Sequence, residues 1–198
     1  MIAVDTNLLV YAHRATVPQH AAASAAMARL SVVQGGWAIP WPCAHEFVAV
    51  VTRAVPGVPA TPAPVAFDAL RAWLSHPGCR LLAESASHLD LWRELVERAG
   101  VVGGAVHDAR IAAICLGHSV DELWSSDRDF ARFPDLRTRD PLVPGLHEPG
   151  ATPYRAARLD QAAVAVSTRR AAAPSRAPSK RSTPSSSSPR PSVRRSSR

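Results

Sequence analysis

The chain has 198 residues, 46% of them hydrophobic, which is enough for one domain with a real core and an appendage. Its formal charge of +7 is unevenly spread: residues 151–198 hold 11 Lys and Arg against one acid, while the first 150 hold 12 Arg against 15 acids. The basic balance therefore belongs to the C-terminal segment, and net charge gives no reason to assign a nucleic-acid-binding face to the rest.

Cys43, Cys79 and Cys115 are odd in number and lack the paired spacing of a zinc site, and two of them fall on predicted helices at apolar positions. Reduced, buried thiols are expected. No stretch approaches the ~20 apolar residues of a membrane span. Met1 leads directly into a short apolar run broken by Asp5, so no secretory leader is expected, and the chain reads as cytoplasmic.

In chain order, Ile2-Ala3-Val4 predicts a short buried strand with Asp5 at its carboxyl end and a helix starting near Thr6 or Asn7. Taken alone, Asp5 reads as the cap of that helix. A second helix is expected from about Pro18 to Val33, stopped by Gly35-Gly36, and Trp37-Ala38-Ile39 as a second buried strand. Pro40 and Pro42 then start a helix whose core face would be Phe47, Val50, Val51 and Ala54. Glu46 sits beside that stripe, where a solvated face is the ordinary reading and a place one turn after a strand–helix junction is the interesting one.

The proline-rich stretch from Val55 to Pro64 predicts a stiff loop, followed by a helix to about Ser75 with Phe67, Leu70 and Leu74 inward. Arg80-Leu81-Leu82 is a strand candidate and Ser87 to Ala99 a helix. The segment AVHDARIAAICLG predicts a helix opened by His107-Asp108 and buried through Ile111, Ile114 and Cys115. A strand over Glu122–Ser126 then runs into Asp127-Arg128-Asp129, and a last strand lies near Leu136–Arg139. Strands alternating with helix pairs point to an α/β fold with a mainly parallel central sheet. From about Ala151 the composition turns to Ser, Pro, Ala and Arg, which cannot bury enough apolar area to offset the entropy of ordering, so disorder is expected. That tail either binds RNA through its arginines or has no role of its own.

Four acids, Asp5, Glu46, Asp108 and Asp127, each fall near a strand–helix junction or an early helix turn. In a parallel sheet those places share one edge. Carboxylates gathered there raise one another's pKa, and an all-oxygen donor set suits Mg²⁺ or Mn²⁺ better than zinc. Such a centre fits phosphodiester hydrolysis. The chain has no Gly-Lys-Ser/Thr phosphate loop, no Gly-x-Ser-x-Gly elbow and no His-Glu-x-x-His, since His45-Glu46 is followed by Phe47, Val48 and Ala49.

The set VDTNLLVYAHR, HEFVAVV, VHDARIAA and LWSSDRDF, in that order, resembles the PIN-domain ribonucleases of the VapC toxin type over roughly Met1 to Leu142. The resemblance implies a three-layer α/β/α PIN-like domain over residues 1–144, leaving residues 145–198 as the Arg/Ser/Pro/Ala-rich tail. It also implies a Mg²⁺-dependent endoribonuclease, with Mn²⁺ as a possible substitute, that cleaves RNA as a homodimer and is blocked by a VapB-like antitoxin. By position Asp5, Glu46, Asp108 and Asp127 match the family's four acids. Thr6, Asn7 and Ser125, where the family often has Thr, would support them. Asp129 would either help through water or cap the short helix containing Phe130. Two other readings are open: a metal phosphohydrolase of the HD type built on His107-Asp108, and a non-enzymatic RNA-binding protein that uses the tail.

Overall fold

The computed structural model describes residues 1 to 143, so the expected tail over 145–198 lies outside the described residues. Five strands form one all-parallel sheet: β1 (Ile2–Val4), β2 (Trp37–Pro40), β3 (Cys79–Leu82), β4 (Glu122–Trp124) and β5 (Thr138–Arg139), in the spatial order β3-β2-β1-β4-β5. Six α-helices connect them: α1 (Thr6–His13), α2 (His20–Leu30), α3 (Trp41–Val51), α4 (Ala63–Leu74), α5 (His88–Ala99) and α6 (Ala105–Gly117). A short 3-10 helix, Arg128–Arg132, follows β4.

The order steps outward from β1 to β3, returns to β4 and continues to β5. Right-handed crossovers then send the helices before and after the return to opposite faces. Accordingly α1 packs on α2 and α3, and α3 on α4, while α5 packs on α6. This is the three-layer α/β/α arrangement, and the reversal between β1 and β4 opens a crevice at their carboxyl ends, where ligands of such sheets bind.

Burial follows the apolar pattern. The sheet centre is dry: Ala3, Val4, Ala38, Ile39 and Leu123 are fully enclosed, and Phe47, Phe130 and Phe133 are among the largest side chains with no access to water. Two glycines allow β2 to begin where it does. Gly36 has φ +75°, and a Cβ there would come within 2.7 Å of the Gly78 carbonyl oxygen, so only glycine lets the two strand entrances meet.

The elements match the expected order, with local corrections. The second helix is shorter than Pro18–Val33, with Gln19 at its N-terminal boundary rather than a proline inside its first turn. The strand expected over Glu122–Ser126 ends at Trp124, because Ser125 and Asp127 use their side chains for other bonds. On α3, Phe47 and Val51 are buried, but Val50 is only half-buried and Ala54 lies exposed beyond the helix end. On α4, Phe67 points outward and Ala66 takes the core position beside Leu70. Cys43 and Cys115 are buried free thiols as expected, and Cys79 is half-buried and free. Among the described residues, no helix is long and apolar enough to cross a membrane.

Candidate active site

Asp5 follows the last residue of β1, and its backbone N–H continues the sheet by donating to the Trp124 carbonyl at 3.0 Å. Its side chain caps α1, accepting from the Thr6 backbone N–H at 2.7 Å. Capping is only part of its role. Asn7 Nδ2 and Ser125 Oγ each donate to Oδ2 at 2.7 Å, and the Cys43 thiol faces Oδ1 at 3.6 Å. One carboxylate, 5% exposed, thus draws donors from three separate parts of the chain. Burial pushes its pKa up to about 6, the Ser125 and Thr6 bonds work against that, and the charges on Glu46 and Asp127 add to it.

The neighbouring side chains form one network. Thr6 Oγ1 donates to Glu46 Oε2 at 2.8 Å, tying the half-buried middle of α3 to the start of α1. Asn7 also donates to Ser125 Oγ at 2.9 Å and accepts from the Ser126 N–H at 3.3 Å. Ser125 Oγ in turn accepts from the Asp127 backbone N–H at 2.9 Å, which fixes where Asp127 leaves the sheet. Asp127 itself is the cap of the 3-10 helix, accepting from the Asp129 N–H at 2.9 Å. The capping alternative for Asp129 is therefore corrected: Asp129 sits in the first turn, with Arg132 at 3.3 Å from its carboxylate.

Asp108 lies in the first turn of α6 and makes no side-chain hydrogen bond among the described residues. Its pKa is pushed up to about 7, first by burial and then by Asp127, Asp5, Asp129 and Glu46. Asp5 and Asp108 therefore both feel the charges of the acids gathered at the carboxyl edge of the sheet. They remain spread as an open cluster, for among the described residues no group of three or more His, Cys, Asp or Glu already stands at metal-holding spacing. Like charges keep apart unless a cation draws them in. The donor chemistry fits a hard divalent ion: all oxygen, no thiolate, and two carboxylates held partly protonated by their surroundings.

The histidines are spread over other tasks. His107 is exposed and makes no hydrogen bond among the described residues. His13 meets Thr61, His20 the Tyr11 carbonyl, His76 the Gly78 N–H and His118 the Ala83 carbonyl. His88 is buried against Trp92, and His45 lies on Trp41. Among the described residues nothing gathers them around Asp108 as HD-type chemistry would need.

Two supports went unread in the sequence. Asp140 accepts from Ser126 Oγ at 3.2 Å and from the Leu142 N–H at 2.9 Å, and so ties the segment after β5 to the residue beside Ser125. The Cys43 contact with Asp5 is the other. An Asp after a two-residue strand and a Cys in a Pro-flanked helix start carry no spacing signal.

Ser125 is the hub, so Ser125→Ala should destabilise the fold by about 1–3 kcal/mol, leaving the Asn7 amide and Asp127 N–H without their shared acceptor. Ser125→Thr should recover most of that. Thermal melts of both variants would show it; an unchanged midpoint for the alanine would mean the hydroxyl is not the organiser.

The family model for the PIN domain matches residues 2–136. A protein of Mycobacterium tuberculosis named ribonuclease VapC33 is 37% identical over 145 residues, covering 72% of this chain and 99% of its own length. Ribonuclease VapC43 of the same organism is 36% identical over 148 residues, covering 74% of this chain and 99% of its own. Among solved structures, VapBC2 from Rickettsia felis bound to a promoter DNA fragment contains a chain of the same fold, with a TM-score of 0.53 at 22% identity, covering 70% of this chain and 98% of that one.

Proposed function

The chain belongs to the PIN-domain family, and on that premise we propose that its acidic edge is the centre of a metal-dependent endoribonuclease, the toxic component of a type II toxin–antitoxin module. The observation that carries this is the hydrogen-bonded convergence of Asp5, Glu46 and the Asp127 backbone through Thr6 and Ser125 at the switch point of the sheet. Burial and the charges of neighbouring acids raise the pKa of Asp5 and Asp108, which costs the fold, and a cation-holding role accounts for that cost.

Asp5, Glu46, Asp108 and Asp127 would hold Mg²⁺, with Mn²⁺ as a substitute. When bound, the ion neutralises the scissile phosphate and lowers the pKa of an attacking water. The chain's own residues do the positioning. Three hydrogen bonds fix the Asp5 carboxylate in one orientation, and Thr6 fixes Glu46 relative to it. The Ser125 hydroxyl is engaged with Asp5, Asn7 and Asp127, so it supports the acids rather than attacking phosphorus. Asp129, whose charge reaches Asp108, would assist through water.

A VapB-like antitoxin partner, a homodimeric state and a cytoplasmic setting belong to the same reading. The antitoxin partner is supported by the VapC-named relatives and by the VapBC neighbour in fold. The test is cleavage of single-stranded RNA by the purified full-length chain in Mg²⁺. His107→Ala and a chain ending at residue 150 should both cleave at close to the parental rate. Loss of cleavage in the first would revive HD-type chemistry, and loss of RNA handling in the second would assign the substrate to the tail.

A further inference from the structure

Beside the acidic cluster lies a hollow of about 260 Å³ lined by Trp41, His45, Ala83, Glu84, Arg110 and Ile114. Its place follows from strand register. Asp5 is the first residue past β1, Trp41 the first past β2, and Ala83 and Glu84 the first two past β3. These strands are hydrogen-bonded neighbours, so the hollow stands one to two strand spacings, roughly 5–10 Å, from Asp5 along the same edge. His45 and Arg110 lie on α3 and α6, the helices that also bear Glu46 and Asp108.

Trp41 is 40% exposed, whereas Trp37 and Trp124, on the strands, are 3% and 4% exposed. Its ring rests on His45, with centroids 5.0 Å apart and planes at 38°. An indole and an imidazole are thus kept open at the rim instead of entering the core. On the opposite wall, Arg110 Nε and Nη2 approach Glu84 Oε1 at 2.8 and 2.7 Å, and His88 Nε2 lies 3.8 Å from the same oxygen. Arg110 and His88 thus hold the Glu84 carboxylate in place. The hollow therefore offers a flat aromatic surface and a fixed acceptor beside a guanidinium donor. Its volume is below the ~300–1,000 Å³ of drug-sized sites and suits a single planar ring system.

We propose that this hollow binds one unpaired base of an RNA strand, stacked on Trp41 and read at its edge by Glu84 and Arg110, so that an adjoining phosphate reaches the acidic cluster. The inference rests on the nuclease reading and adds to it a specificity subsite. Charge within the folded part gives such a contact a purpose: the first 150 residues are net acidic, so their hold on a polyanion gains from contacts that do not depend on charge. Stacking, which every base can provide, supplies affinity here, while edge contacts choose among bases.

The test uses the full-length chain carrying Asp108→Asn, in EDTA and about 0.3 M salt, which suppresses phosphate contacts by the arginine-rich tail. Short fluorescent single-stranded RNAs of uniform base composition are titrated by anisotropy. Adding Trp41→Ala should weaken binding of every RNA about tenfold or more, while Trp41→Phe should stay within about threefold of the parent, since phenylalanine keeps an aromatic face. Glu84→Gln should reorder the preference among the four bases. Binding by Trp41→Ala within about twofold of the parent, or no RNA binding by the parent, overturns the proposal. Trp41-dependent binding without any cleavage by the chain with Asp108 intact would keep the base pocket and remove the nuclease reading.

Discussion

Asp108→Asn should raise the thermal midpoint of the metal-free protein while lowering RNA cleavage by more than about a hundredfold, since groups that merely support metal ligands already cost 10–100-fold when removed. The two effects have opposite signs for one reason. In the fold the carboxyl of Asp108 is pushed from 3.8 up to about 7, so folding is opposed whenever that group must be ionised. At ~1.4 kcal/mol per pKa unit the full shift would be about 4 kcal/mol, but the group is partly open to water, and solvent screening reduces this to about 1–2 kcal/mol. Loss of a carboxylate from the first turn of α6 takes back roughly 0.3–1 kcal/mol. A net gain of about 1 kcal/mol corresponds to roughly 2–4 °C. Asp108 makes no hydrogen bond among the described residues, so the amide strands no partner.

The pH dependence has a definite sign. With a folded pKa above the unfolded one, the native state binds more protons between about pH 4 and 7, and stability falls across that window as pH rises. The asparagine variant should match wild type near pH 4, gain on it up to about pH 7, and stay ahead above that. Asp5 is the poorer choice for this comparison: Asn cannot accept from Thr6, Asn7 and Ser125 as a carboxylate does, so Asp5→Asn should lose cleavage without gaining stability.

Divalent cations should reverse the penalty. Mg²⁺ or Mn²⁺ at about a hundred times its dissociation constant should stabilise the wild-type protein by about 2.7 kcal/mol. Asp108→Asn should respond much less. A differential scan with and without EDTA would measure this independently of catalysis, and equal shifts in both proteins would place the cation elsewhere.

The order of strands and helices was legible because each short apolar run is bounded by Gly, Pro or an acid, and parallel strands must be buried. The faces of α3 and α4 were read less well. Phe67 is apolar at helical spacing, yet α4 packs through the smaller Ala66 and leaves the ring outside, a choice made by the neighbouring helix rather than by period. Asp5 read as a cap and is one, but the convergence of Asn7 and Ser125 on the same carboxylate depends on β1 lying beside β4, which spacing does not encode. The resemblance located Ser125 without its bonds. The Trp41 hollow was invisible in the sequence, since Trp41 and Glu84 become neighbours only through the pairing of β2 with β3.

The most direct measurement is cleavage of single-stranded RNA by the full-length protein stripped with EDTA, before and after Mg²⁺ is returned, beside Asp108→Asn under the same conditions. The expected result is no cleavage in EDTA, recovery on adding Mg²⁺ to wild type, and no recovery in the variant. Undiminished cleavage in EDTA, or full recovery in Asp108→Asn, would contradict a cation-holding carboxylate centre at this edge of the sheet.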